Sequence, residues 1–375
     1  MIDERTARMG LAAAQDAGDP RFAALVREQG VIAVWEHLRA GGGTTALAHR
    51  AADVDLDDLR RQTDALGARF VIPGDPEWPA GVADLAWSEP VGRFGGEPLG
   101  LWVAGPADLG LLGRSVSVIG ARAATTYGEH VAADWAMGLA GQEYVVVSGG
   151  AFGIDACAHR GALAVGATTV AVMAGGLGDL YPPGNHSLLR RIWETGLVVS
   201  EYAPNRSPSR SRFLVRNRLI AALSKATLIV EGAVRSGAQN TVSWALSMQR
   251  PVLAVPGPVT SAMSVTPHRL IRTGEAQLVS SLDEVLAALR PVDAGLSDYL
   301  REQETLLDVM TDAQRKVHEA LSAKRGLLVD ELSVLTGEPA PSLLVCLSQL
   351  QSLGLATETG NGTWQAVARP SPRST

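Results

Sequence analysis

Residues Val116 to Gly128 read VSVIGARAATTYG. Val116, Val118 and Ile119 form a short apolar run of the kind a buried parallel strand shows. The run stops at Gly120 and passes Arg122 into a polar turn, Thr125 to Gly128. Val131, Trp135 and Leu139 then recur at i, i+4 and i+8, the spacing of one apolar helix face. Strand, glycine turn and helix N-terminus in that order make an anion site. Free backbone N–H groups and the positive end of the helix dipole face an incoming phosphate. Arg122 stands beside that turn. The plain alternative is a tight strand-to-helix connection with a solvated arginine.

The same unit repeats downstream. Apolar runs stand at Val116–Ile119, Val145–Val147, Thr169–Met173, Leu197–Val199, Leu228–Val230 and Val252–Val255, separated by amphipathic segments long enough for crossover helices. Runs that are apolar throughout, alternating with helices, imply a parallel sheet covered on both faces. Right-handed crossovers then give a doubly wound, Rossmann-like α/β sheet whose ligands bind outside the carboxyl ends of the strands.

The loops at those ends are distinctive. After the second run, Ser148, Gly149, Gly150 and Gly153 form a second candidate phosphate cradle. Asp155 and His159 share a helix face at i, i+4, and a local helix-capping role suits them better than an acid–base or metal pair, because no third ligand accompanies them. Gly175, Gly176 and Gly178 permit either a ligand-facing loop or a tightly packed connection. Between Arg206 and Arg218 lie five arginines (206, 210, 212, 216 and 218) with no Asp or Glu, in a chain of net charge −6. Arginine suits planar, bidentate phosphate contact and stacking on bases, and Phe213 within the cluster is placed to stack on an unpaired base. In the fifth loop Glu231 ends a strand, and Ser236, Gly237 and Thr241 open a helix.

Composition sets the outer bounds. At 375 residues, 46% of them hydrophobic, two or three domains with ordinary cores are expected. The acidic balance excludes a protein coated in positive charge, so any nucleic-acid site is a local patch. The two cysteines, Cys157 and Cys346, have no metal-ligand spacing and read as reduced, buried thiols of a cytoplasmic protein. The N-terminus has no apolar signal-peptide core, and no run approaches the ~18 consecutive apolar residues of a membrane span. Residues 1–66 read as a compact helical module, and Phe70 to Pro79 (FVIPGDPEWP) as an extended linker with a turn. A doubly wound domain over 67–292 follows, and Val292 to Leu300 reads as a linker. Residues 303–369 suggest three helices and a hairpin turning at Asn361-Gly362, a winged-helix order. Its candidate recognition helix, Pro341 to Leu353, has no Lys or Arg, which favours protein contact over sequence reading.

Taken together, GARAATTYG (120–128), SGGAFGIDACAH (148–159), MAGGLGDLYPPGN (173–185), SEY (200–202), FLVRNRLIAALS (213–224), VEGAVRSGAQNT (230–241) and AVPG (254–257) resemble the DNA-processing protein A (DprA, or Smf) family. The resemblance implies a Rossmann-fold, non-enzymatic, homodimeric binder of single-stranded DNA. Such a protein loads the RecA recombinase onto incoming strands in natural transformation and needs no cofactor or metal. It implies phosphate contact at Arg122 and DNA contact at Arg210 and Phe213. The candidate DNA-binding set is Gly120, Arg122, Ser148, Gly149, Gly150, Arg210, Phe213, Arg216, Asn217 and Arg218, and no catalytic residue is assigned. The chain departs from the family pattern at Ala121 (usually Ser), Phe152 (usually Arg) and Leu214 (usually Pro). The alternative is a nucleotide-binding or nucleoside-monophosphate-hydrolysing Rossmann enzyme resembling phosphoribohydrolases. Their Pro-Gly-Gly-x-Gly-Thr block is not matched by Glu231 to Thr241.

Overall fold

The computed structural model describes residues 2–234, 236–290, 310–322, 325–359 and 362–367. The expected linker at 292–300, Arg235, Asn361 of the hairpin turn and both ends of the 303–369 segment lie outside the described residues. The chain forms two compact units, Met1–Arg290 and Pro291–Thr375.

In the first unit nine strands form one sheet in the order β1-β2-β6-β5-β4-β3-β7-β8-β9. They are β1 Ala68–Val71, β2 Leu101–Ala104, β3 Ser115–Ile119, β4 Val145–Ser148, β5 Thr169–Met173, β6 Leu197–Ser200, β7 Ala226–Ile229, β8 Val252–Ala254 and β9 Gln277–Leu278. From β6 across to β9 every pairing is parallel. Val116 of β3 stands opposite Val146 on one side and Ala226 on the other. The six apolar runs of the sequence are therefore the six central strands, displaced by a residue or two at their ends.

The crossover helices are α6 Thr126–Gly141, α7 Ile154–Ala164, α8 His186–Thr195, α9 Arg210–Ala222, α10 Ala238–Ser247 and α11 Val265–Arg272, and α12 Leu282–Ala288 follows the last strand. Alternation along β3 divides them between the two faces. Val116 and Val118 pack with Val131, Trp135 and Leu139 of α6, while Ile119 shares a cluster with Leu219 and Ile220 of α9 and Trp244 of α10. Both faces are dry, which is why the strand runs are apolar at every position but a few serines and threonines. Those are satisfied internally, as where Ser117 Oγ donates to Thr227 Oγ1 at 2.8 Å.

The segment expected as an extended linker is a partial correction. Ala68–Val71 pairs antiparallel with β2, which pairs antiparallel with β6, so both extend the sheet. Four-residue strands flanked by prolines and glycines give too short a periodic signal to separate from linker. Five N-terminal helices, α1 Glu4–Ala14, α2 Pro20–Gln29, α3 Val31–Arg39, α4 Thr45–Ala52 and α5 Leu56–Ala65, belong to the same compact unit as the sheet. Trp102 of β2, fully buried, donates its indole N–H to Thr63 of α5 at 3.1 Å.

The second unit contains α13 Asp312–Ala320, β10 Leu327–Leu328, α14 Val329–Thr336, α15 Ala340–Ser352, β11 Ala356–Thr359 and β12 Thr363–Ala366, with an antiparallel sheet in the order β10-β12-β11. Val317, Leu332, Leu343 and Leu347 form its core with Trp364.

Candidate nucleic-acid interface

The chain leaves β3 towards β4, β5 and β6, then returns through α9 to place β7 on the other side of β3. Neighbouring strands whose connections run in opposite directions open a crevice at their carboxyl ends. Here it is a cleft of about 750 Å³, lined by Gly120 and Arg122 after β3, by Ser236 and Gly237 after β7, and by Arg210, Phe213, Arg216 and Asn217 of α9.

Helix N-termini are not what this cleft offers an anion. Thr125 caps α6 by accepting from Gly128 N at 3.2 Å, and the buried Glu231 accepts from Thr125 N at 2.9 Å and Thr125 Oγ1 at 2.5 Å. The start of α6 is thus filled by the protein's own carboxylate, which corrects the phosphate-cradle reading of the glycine turn. At α7 the N–H of Ile154 goes to Ala121 O at 3.2 Å, and Asp155 accepts from Ala151 N at 3.3 Å. Gly153, at φ +72°, lets the two glycine loops touch, since a Cβ there would stand 2.3 Å from Ala121 O.

The cleft's positive charge comes from side chains. Arg122 is exposed, and its guanidinium carbon lies 5.1 Å from the centre of the Phe213 ring. Arg216 lies 5.8 Å from the same ring on the cleft floor. It is 5% exposed and donates to the carbonyls of Gly149 at the end of β4 and Val172 of β5. Burial pushes its pKa down to about 10, partly offset by the nearby Asp155, so it keeps its charge at neutral pH. Burial likewise raises the Asp155 carboxyl, with Arg216 opposing. Arg210 opens α9 at the exposed rim, and neither it nor Arg122 has an ion-pair partner among the described residues. Two unpaired guanidiniums, one of them over an aromatic ring, can neutralise phosphates and leave a flat apolar surface for a base.

The remaining expected residues go elsewhere. Arg218 is a correction: it is fully buried, paired with Glu201 at 2.6 Å, and does not reach the cleft. A helix turns 100° per residue, so successive residues of the Arg216-Asn217-Arg218 run point to a strand end, to α10 and to the interior. Asn217 lines the cleft while its amide donates to Gly237 O and Asn240 Oδ1, joining α9 to α10. Ser148 is fully buried and donates to Val118 O at 2.6 Å, tying β4 to β3. Gly150 accepts at its carbonyl from the buried Asn185, away from the cleft. Of the two other clustered arginines, Arg206 donates to Ala13 O in the last turn of α1 and Arg212 pairs with Asp16 just after it at 2.7 Å, so both tie the cluster to the end of α1.

Asp155 and His159 do not act as a pair. His159 is fully buried with Nδ1 2.8 Å from Thr169 Oγ1, and burial holds its pKa down near 3, leaving it neutral. Among the described residues no group of three or more His, Cys, Asp or Glu is placed to hold a metal ion. The glycine stretch of the loop after β5 is a packed connection, while the same loop carries Tyr181 to the cleft. A Cβ on Gly176 would stand 2.1 Å from the carbonyls of Ala203 and Pro204. Tyr181, at the cleft edge with its ring centre 5.8 Å from that of Phe213, was not singled out from sequence. Its signal was the rigid Tyr-Pro-Pro turn at a strand's carboxyl end. Cys157 and Cys346 are both free and buried, and no helix among the described residues is long and apolar enough to cross a membrane.

Comparison with known proteins places the chain in a family. The family described as DNA recombination-mediator protein A matches residues 69–290, from β1 to the end of the first unit. A putative DNA processing protein DprA from Mycobacterium tuberculosis is 43% identical over 92% of this chain and 90% of its own length. The crystal structure of DNA processing protein A from Streptococcus pneumoniae superimposes with a TM-score of 0.65 at 29% identity, covering 76% of this chain and 98% of that one. DNA processing protein A from Helicobacter pylori, studied for its unique single-stranded DNA binding mode, gives a TM-score of 0.51 at 28% identity, over 59% of this chain and 95% of that one.

Proposed function

The chain belongs to the DNA recombination-mediator protein A family, and on that premise we propose that its cleft binds single-stranded DNA. One observation carries the proposal: Arg122 and Arg216 both address the ring of Phe213 at the topological switch point of the sheet. Gly120, Arg122, Arg210, Phe213, Arg216 and Asn217 supply the surface, and Gly149 holds Arg216 through its carbonyl. Phosphates lie along Arg122 and Arg210, and an unpaired base lies on Phe213. A duplex keeps its base faces stacked within the helix, so the cleft selects single strands. Arg216, held by two strand-end carbonyls, fixes the floor.

The finer reading is that the protein, as a cytoplasmic homodimer, loads RecA recombinase onto incoming strands in natural transformation. We place 303–369 as a winged-helix domain of protein contact, apart from a 67–292 binding domain and a 1–66 helical module. The non-enzymatic reading rests on a cleft whose charged groups among the described residues are three arginines and Asp155, a set that suits binding. The test is a titration of the purified protein against labelled single-stranded and duplex oligonucleotides of one sequence, followed by RecA filament assembly on the same single strand. Single-strand preference and faster assembly support the proposal. Equal binding to both, or hydrolysis of a nucleoside monophosphate, overturns it.

A further inference from the structure

Beside the cleft lies a niche of about 60 Å³ whose apolar walls include the rings of Phe152, Tyr181 and Phe213 together with Met173, Pro182 and Pro208. It shares Arg122, Tyr181, Phe213 and Arg216 with the cleft. Phe152 is 48% exposed and Tyr181 42% exposed, unusual freedom for rings that line one niche beside a cationic cleft. Phe152 is held there by its loop. Gly150 and Gly153, both at positive φ, bracket it, and the loop is fastened to the Arg122 turn through Ile154 N and Ala121 O. The ring rests on Gly184, where an added Cβ would stand 2.8 Å from its outer edge.

Given single-strand binding in the cleft, on which this inference rests, we propose that Phe152 and Tyr181 form a second stacking subsite that takes one nucleobase adjacent to the base on Phe213. The chemistry of the niche specifies the occupant. Flat apolar rings with a guanidinium alongside favour a planar π-system that tolerates polar edges, which describes a nucleobase better than an alkyl chain or a folded peptide. The niche is small beside the cleft's 750 Å³. It admits the edge of a base whose faces extend along the open rings, and not a whole nucleotide. Phe152 carries no charge, so it adds affinity without adding a phosphate contact. That gives the subsite a signature distinct from that of the arginines.

The experiment is anisotropy binding of labelled oligothymidylate, and of the same strand carrying abasic sites, to the full chain and its Phe152→Ala, Phe152→Leu and Phe152→Trp variants across a salt series. Expected for Phe152→Ala and Phe152→Leu is roughly tenfold weaker binding of oligothymidylate with an unchanged salt slope. Phe152→Trp retains affinity, and on the abasic strand the variants and the wild type converge. Wild-type affinity in Phe152→Ala, or an equal loss on the abasic strand, overturns the subsite while leaving single-strand binding in place. A wild type that does not prefer single strands removes the cleft reading and this inference with it. Coincident thermal unfolding curves for the variants separate lost stacking from lost fold.

Discussion

The first turn of α9 and its second half carry the same residue type to opposite ends. Arg210 sits at the exposed rim with no ion-pair partner among the described residues. Two turns later Arg216 is anchored to strand-end carbonyls, and Arg218 is sealed against Glu201. An unpaired exposed guanidinium is free to trade counterions for phosphate, whereas a buried one is committed to holding its own helix in place. The difference teaches that a run of arginines is not yet a basic patch. Of five between 206 and 218, two face the cleft, two tie the cluster to the N-terminal helices, and one is core.

The contrast breaks first at Arg218. Arg218→Ala leaves Glu201 charged and unpaired in the interior and is expected to cost ~3–5 kcal/mol of stability, read by urea denaturation. Replacing both partners with apolar residues restores most of it, and a small loss in the single variant would refute the structural role. Arg216→Ala strips donors from the Gly149 and Val172 carbonyls. It should cost about 1–3 kcal/mol of stability together with single-strand affinity, so calorimetry and binding must move together. On the exposed side stability stays and binding goes. Phe213→Ala should lose ~1–3 kcal/mol of binding with the salt slope unchanged, and a parallel fall in slope would mean the whole first turn had moved. Arg210→Ala, with no ring beneath it to lose, is expected to have the smallest effect. It lowers the slope of log affinity against log salt by no more than one contact's ~0.7 at unchanged melting temperature.

Much of this was legible in advance. The six central strands were readable because parallel strands buried on both faces are apolar throughout, and the carboxyl-edge rule pointed to the loops after them, while the strand order that opens the cleft between β3 and β7 came only with the fold. Arg122 and Phe213 do line that cleft, as their positions after strands at the carboxyl edge lead one to expect. The edge strands β1 and β2 were not readable, because four residues hold two alternations at most and prolines stand nearby. Nor was the burial of Arg218. Its partner Glu201 is 17 residues away and comes close only once α9 folds back on the sheet. The filling of the α6 N-terminus by Glu231 is likewise long-range, across 106 residues. Local sequence shows a helix start but not what already occupies it.

The central claim is that exposed, unpaired arginines at the switch point meet the DNA backbone. Its most direct test compares wild type with Arg122→Ala in binding to a labelled single strand over a range of salt. The account predicts weaker binding and a log–log slope shallower by ~0.7, the share of one phosphate contact on single strands. A slope identical to that of the wild type would contradict it, and would mean that Arg122 stands over Phe213 without touching the strand.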